Sequence, residues 1–331
     1  MFERNKMPLL DIKDLVVEYT SDDQIIHAVN GINLTLDRGK TLGLVGETGA
    51  GKTTIAKSIM RILPDVSAKI QSGKVVLNGK NLLSMSEKEM REVRGNQVSM
   101  IFQDPMTALN PTMRVGKQIS EVIRIHNKVT HEEADQKAKE ILKLVGIAED
   151  RFGEYPHQFS GGMKQRVVIA MALACEPDLL LADEPTTALD VTIQAQVLEL
   201  INNLKIKNNT AMILITHDLS VVAETCDEVA IIYAGQIMEY GSKMQIFDHP
   251  SHPYTLGLFG AVPDMNEDEE WLHPIEGMLP DPTNLPPGCP FAPRCNRASS
   301  ECSANINFRE TEDGHLCKCN HMKEGDKCAI D

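Results

Sequence analysis

Gly46-Glu-Thr-Gly-Ala-Gly51-Lys52-Thr53 is the segment that most narrows what this 331-residue chain can fold into. It follows directly on Thr41-Leu-Gly-Leu-Val45, a short unbroken apolar run of the kind that forms a strand covered on both faces. It also opens a helix expected from about Lys52 to Leu63 and stopped by Pro64. Glycines in such a loop let backbone N–H groups converge on phosphate oxygens, and the helix N-terminus adds a favourable field for anions. Lys52 would neutralise β/γ-phosphate charge, and the Thr53 hydroxyl would ligate Mg²⁺.

Other segments supply the rest of an α/β fold. Ile32, Leu34 and Leu36 alternate with polar residues, Asp37-Arg38-Gly39-Lys40 turns the chain, and Val75-Val-Leu77 runs into a hairpin turn at Asn78-Gly79. From Asp104 to about Cys175 the pattern is mainly helical. Thr130-His-Glu-Glu133 reads as a capping box, and Ala134, Ala138, Ile141, Leu142 and Val145 keep one helical face until Gly146 ends it. Strand and helix alternate again through Leu179-Leu-Leu-Ala182, a helix carrying Ile193, Val197, Leu200, Ile201 and Leu204, and the strand Ala211 to Ile215. The expected architecture is a P-loop α/β core, a mixed sheet with helices, interrupted by a helical insertion.

Three further sites suit phosphate chemistry. Asp183-Glu184 closes an apolar strand, and the carboxyl ends of such strands are where open α/β sheets bind ligands. Asp183 would hold Mg²⁺ through water, and Glu184 would polarise an attacking water. Ser160-Gly161-Gly162 places an N-cap serine and two glycines before an apolar helix, a second phosphate-binding helix end. His217, just after the strand Ala211 to Ile215, could reach a γ-phosphate.

Together these residues resemble the nucleotide-binding subunit of an ATP-binding-cassette transporter. In that resemblance Walker A is Gly46, Glu47, Thr48, Gly49, Ala50, Gly51, Lys52 and Thr53, with Thr54 beside it, and the Q-loop residue is Gln103. The signature is Ser160, Gly161 and Gly162, and Walker B runs from Leu179 to Glu184. The D-loop is Ala188-Leu189-Asp190, the switch histidine is His217, and Tyr19 takes the place of the aromatic residue that stacks on adenine. Glu184, His217, Gln103 and Lys52 are thereby implied as catalytic, and Thr53, Gln103 and Asp183 as Mg²⁺ ligands. Met163 departs from the family, which carries glutamine there.

Narrower motifs are similar to those of the dipeptide/oligopeptide permease ATPases: Ile101 to Pro111, Tyr155-Pro-His-Gln158, His252-Pro-Tyr-Thr255 and Pro293-Arg294-Cys295. The branch implies ATP-driven uptake of dipeptides or oligopeptides, with nickel or another solute as the alternative cargo. It further implies head-to-tail pairing with a second homologous ATPase, two membrane permease subunits, and indirect action of an extracytoplasmic solute-binding protein. A soluble, non-transport cassette fits less well, because such chains usually carry two cassettes or a long coiled-coil insertion. A GTPase is excluded by its base-reading motif, since Asn127-Lys128 is followed by Val129-Thr130.

Composition divides the chain at about residue 260. The net charge of −14 argues against nucleic acid or anionic lipid as a general partner. Over half of that charge, six of eight cysteines and eight of seventeen prolines fall in residues 261–331. The expected division is therefore a cassette over 1–260, with a helical subdomain at about 104–175, and a C-terminal extension over 261–331. The longest apolar stretch, Val167 to Cys175, is too short to span a bilayer, and the first residues have no signal-peptide core. The expected location is the cytoplasmic face of the cell membrane, held there by partners.

A cytosolic cysteine-rich segment points to metal before disulfide. Cys289, Cys295, Cys302 and Cys319 lack the short Cys-x2–4-Cys pairs usual for structural zinc, whereas iron–sulfur clusters tolerate other spacings, so spacing leaves both open. The permease-ATPase resemblance implies a [4Fe–4S] cluster. It favours Cys319 as the fourth ligand because Gly314-His315 precedes it; Cys317 competes, and Cys328 stays outside. Cys175 and Cys226, on apolar stretches, are expected in the core.

Overall fold

The computed structural model describes residues 7–22, 24–186, 190–261, 274–304, 306–310 and 314–321. Ala188, Leu189, the acidic linker from Asp264 to Glu270 and Cys328 lie outside them.

In chain order the elements begin with β1 (Leu10–Ser21), β2 (Gln24–Leu36), β3 (Thr41–Val45), α1 (Lys52–Met60), β4 (Ala68–Leu77) and β5 (Lys80–Asn81). Next come α2 (Glu87–Val93), β6 (Val98–Ile101), α3 (Pro105–Ala108), α4 (Val115–His126), α5 (His131–Leu144), α6 (Gly161–Leu173) and β7 (Leu179–Asp183). Then follow α7 (Val191–Asn208), β8 (Ala211–Ile215), α8 (Leu219–Thr225), β9 (Glu228–Tyr233), β10 (Gln236–Ser242), α9 (Lys243–Asp248), α10 (Pro253–Gly260), β11 (Arg309–Glu310) and β12 (Leu316–Cys317).

The chain divides into two compact units, the first built from Met1–Leu36, Leu42–Leu83 and Thr216–Asp331, the second from Asp37–Thr41 and Ser84–Ile215. In the first, β2, β1, β4 and β5 form an antiparallel sheet in that order. Its alternating pattern buries Leu15, Val17, Ile32, Leu34 and Leu36 on one face. Alongside it, β3 pairs in parallel with β9, Leu44 opposite Ala230 and Val45 opposite Ile231. All five β3 residues are buried, as the unbroken apolar run requires. β9 returns antiparallel as β10 through Ala234 and Gly235, at φ 45° and 74°, the backbone signs of a tight hairpin turn.

The extension is stitched onto this unit. β12 pairs with β10, Cys317 opposite Glu239 and Leu316 opposite Tyr240, and β11 pairs with β12. His27 N donates to Pro282 O at 2.9 Å. The carboxylate of Glu239, fully buried, accepts from Ser251 N at 2.7 Å, His252 N at 3.0 Å and the Thr255 hydroxyl, and pairs with His315 Nε2 at 2.7 Å. A buried carboxylate is tolerated because its lone pairs are taken up in this way.

In the second unit β8, β7 and β6 are parallel, Leu181 sitting opposite Ile213 on one side and Met100 on the other. The helical insertion is broken rather than continuous, with short 3₁₀ turns at Glu149–Gly153 and Pro156–Gln158 between α5 and α6. The capping box at Thr130 and Glu133 is present, and Ala134, Ala138, Leu142 and Val145 are fully buried. One boundary differs from expectation. α1 ends at Met60, not Leu63, because Arg61 takes a left-handed conformation, its N–H returning to Ser58 O while its guanidinium donates to Leu82 O at 3.1 Å.

Candidate active site

The candidate phosphate loop is assembled in the first unit. β3 delivers the chain to Gly46, and Gly51, at φ 97°, turns it into α1 with no side-chain cap. A Cβ on Gly51 would stand 2.3 Å from Ala28 O, so only glycine permits this approach. The loop is pinned from beneath, Gly235 N donating to Ala50 O at 3.0 Å. Lys52, 7% exposed, donates through Nζ to Gly46 O at 2.5 Å and Glu47 O at 2.9 Å, folding its ammonium back over the loop. Thr53 and Thr54 are half-buried on the first turn of α1. The Tyr19 hydroxyl lies 3.3 Å from Thr54 Oγ1, so the half-exposed ring of β1 borders the start of the helix. His217, exposed, precedes α8, whose N-terminus is capped by Asp218 through Ser220 N and Val221 N.

The second unit holds the candidate acids and the candidate signature. Asp183, 4% exposed, is the last residue of β7, opposite Ile215. Glu184 leaves the strand at φ 45°, and its N–H donates to Ile215 O at 2.9 Å. Gln103, 81 residues earlier and just beyond β6, donates from Nε2 to Glu184 Oε2 at 2.8 Å. The Q-loop amide and the candidate base are thus brought together at the carboxyl ends of adjacent parallel strands. Ser160 caps α6, its hydroxyl accepting from Met163 N at 3.4 Å, and Gly161 is exposed at the helix start. Asp190, exposed, caps α7 by accepting from Ile193 N at 3.0 Å.

Three contacts were not readable from the motifs. Gln165, buried in α6, donates Nε2 to Pro185 O at 2.5 Å, tying the signature helix to the residue after Glu184. The Tyr254 hydroxyl accepts from Glu47 N at 2.9 Å, and the Arg294 guanidinium forks onto the Glu47 carboxylate. Tyr254 and Arg294 stand within sequence motifs already noted, but nothing in either motif names a partner some 200 residues away.

The cysteines gather in the extension. Cys289, Cys302, Cys317 and Cys319 are buried, Cys295 is half-buried, and Cys289 N donates to Cys302 O at 2.9 Å. Burial pushes the Cys289 thiol up to about 11, and the nearby Cys319 and Cys295 add to the shift. Burial likewise raises Cys295, with Cys319 and Cys302 contributing. His321 Nε2 stands 3.5 Å from Cys302 Sγ. Among the described residues, no group of three or more histidine, cysteine or acidic side chains is arranged to hold a metal ion. Cys226 is buried and Cys175 half-buried, where burial raises its thiol. Among the described residues, no helix is long and apolar enough to cross a membrane.

The chain matches the family "ABC transporter" over residues 29–187 and "Oligopeptide/dipeptide transporter, C-terminal region" over residues 238–302. It is 48% identical over 314 residues to the oligopeptide transport ATP-binding protein OppD of Haemophilus influenzae, covering 94% of this chain and 97% of that one. It is 51% identical over 289 residues to the dipeptide transport ATP-binding protein DppD of Bacillus subtilis, covering 87% and 86%. The dimeric post-hydrolysis structure of the ATP-binding cassette MJ0796, bound to ADP and Pi, superposes with a TM-score of 0.64 at 25% identity over 71% of this chain and 98% of that one. On these matches, this chain belongs to the ABC transporter ATPases, in the group bearing the oligopeptide/dipeptide transporter C-terminal region.

Proposed function

We propose that this chain is the ATP-hydrolysing subunit that energises dipeptide or oligopeptide uptake through a membrane permease. The observation that carries the reading is its near-complete alignment, at about half identity, with oligopeptide and dipeptide transport ATP-binding proteins. Nickel or another solute of the same branch is the alternative cargo. In this reading Gly46, Glu47, Thr48, Gly49, Ala50 and Gly51 present backbone N–H groups to the phosphates, Lys52 offsets their charge, and Tyr19 stacks on adenine. Thr53, Asp183 and Gln103 would hold Mg²⁺, which neutralises charge developing on the transferred phosphoryl group. Hydroxyl and carboxylate oxygens are the donor chemistry that this hard cation prefers.

Glu184 takes a proton from the attacking water. Its hydrogen bond from Gln103 supports this role, because the amide holds the carboxylate oxygen at a fixed place until water is bound. His217 would contact the γ-phosphate. Ser160, Gly161 and Gly162 would bind the nucleotide held by a partner cassette, with Asp190 at the same junction, so that ATP completes a head-to-tail pair with a homologous subunit. Two permease subunits would anchor the pair at the cytoplasmic face of the membrane.

Cys289, Cys295, Cys302 and Cys319 would hold a [4Fe–4S] cluster, with zinc as the alternative. Cys319 contributes to the raised thiols of both Cys289 and Cys295, and Cys302 to that of Cys295, so the four sulfurs stand close to one another, as thiolate ligands of one soft group would. The functional reading is tested by purifying the tagged chain from membranes with its bound subunits and measuring uptake by proteoliposomes. Transport of labelled dipeptide or oligopeptide supports the reading. Transport of nickel without peptide replaces the cargo, and no co-purifying permease overturns the transporter role.

A further inference from the structure

Arg294 lies one residue before Cys295, yet it reaches the phosphate loop. Its Nη1 and Nη2 donate to Glu47 Oε2 and Oε1 at 2.7 and 3.1 Å, a bidentate fork. The Arg294 side chain is 5% exposed, against 27% for Glu47. The other guanidinium donors are also used: Nη1 on the Tyr233 hydroxyl at 3.2 Å, Nε on Glu276 O at 3.0 Å and Nη2 on Ile275 O at 3.1 Å. Glu47 is held from its backbone as well, through Tyr254 OH. The rings of Tyr233, Tyr254 and Phe291 meet pairwise at 4.6 to 5.3 Å, and Phe291, like Arg294, belongs to the loop between Cys289 and Cys295.

An acid within a phosphate-binding loop is electrostatically adverse, because a carboxylate a few ångströms from a triphosphate repels it. Here that carboxylate is neutralised from outside the cassette motifs. We propose that Arg294 is a positioning residue for ATP binding: the cysteine-bearing loop cancels and fixes the charge of Glu47, and the phosphate loop accepts a triphosphate well only while that loop is docked. The proposal rests on the reading of Gly46 to Thr53 as the ATP site. It makes the extension part of the nucleotide machinery.

The test is titration of the full-length chain with fluorescent MgATP analogue at low and high salt. Arg294→Gln should weaken affinity about tenfold at low salt and less at high salt, as an uncompensated carboxylate requires. Arg294→Lys should recover part of the loss, since it keeps charge but not the fork. The decisive variant is Glu47→Gln/Arg294→Gln, which removes the stranded charge and should recover most of the affinity that Arg294→Gln loses relative to Glu47→Gln alone. Unchanged affinity in Arg294→Gln overturns the proposal. So does a double variant as weak as Arg294→Gln, which would mean that Arg294 acts through packing alone. If Arg294→Gln does not fold, Arg294→Lys with and without Glu47→Gln gives the same comparison. Failure of the wild type to bind, or Lys52→Ala binding as tightly as the wild type, would instead overturn the ATP-site reading beneath the proposal.

Discussion

Lys52 and Glu184 are each held in place by the local backbone. Lys52 is buried and bonded to two carbonyls of its own loop, so its ammonium is pre-positioned over the groups that would receive phosphate. Lys52→Ala is expected to weaken MgATP binding at least tenfold, read by equilibrium titration; unaltered affinity would count against its role. Glu184 sits at φ 45°, a conformation that few non-glycine residues adopt and that often marks functional positions. The turn breaks the strand's side-chain alternation and brings the carboxylate to Gln103. Glu184→Gln should bind MgATP as the wild type does and hydrolyse it 10²- to 10⁴-fold more slowly, in the range for loss of a general base. Phosphate release near the wild-type rate would remove Glu184 from that role.

At the scale of elements, α6 and α10 carry more than packing. Gln165 in α6 satisfies Pro185 O in a buried place, so Gln165→Leu strands that carbonyl and should cost about 1–3 kcal/mol of stability, measured by denaturant unfolding. His252 caps α10, its Nδ1 accepting from Tyr254 N at 3.0 Å, and burial holds it down at about pKa 4. The neutral ring is the folded form, so protonation favours unfolding. Stability should therefore fall as pH drops below about 6.5 and level off near 4, by up to ~3 kcal/mol from this group, and His252→Gln should flatten that slope. An acid limb of unchanged slope in His252→Gln would contradict this.

The elements legible in the sequence were those fixed by neighbours along the chain. The capping box at Thr130 and Glu133 spans three residues, and the strand–loop–helix around Gly46 is governed by an apolar run and its glycines. The end of α1 was not legible, because Leu82 O, 21 residues away, helps hold Arg61 beyond it. Gln103 and Glu184 were each recognised by motif, but their hydrogen bond spans 81 residues and no spacing encodes it. The Arg294–Glu47 fork spans 247 residues, and the charge of either partner alone reads as an ordinary surface feature.

For the whole molecule, the chemical divide at about residue 260 does not mark a detached appendage. The acidic, cysteine-rich extension adds strand β12 to β10, closes the Glu239 network through His315 and reaches Glu47 through Arg294. Anaerobic purification should yield a brown protein carrying iron and sulfide that Cys295→Ser loses; a colourless anaerobic preparation containing zinc would replace the cluster with the alternative metal. The measurement that bears most directly on an ATP motor for peptide uptake is phosphate release by the membrane complex that co-purifies with this chain, with and without peptide and its binding protein. Peptide should stimulate hydrolysis in the wild-type complex, and Glu184→Gln in this chain should sharply lower that response. Hydrolysis indifferent to peptide, or a Glu184→Gln complex that turns over as fast as the wild type, would contradict it.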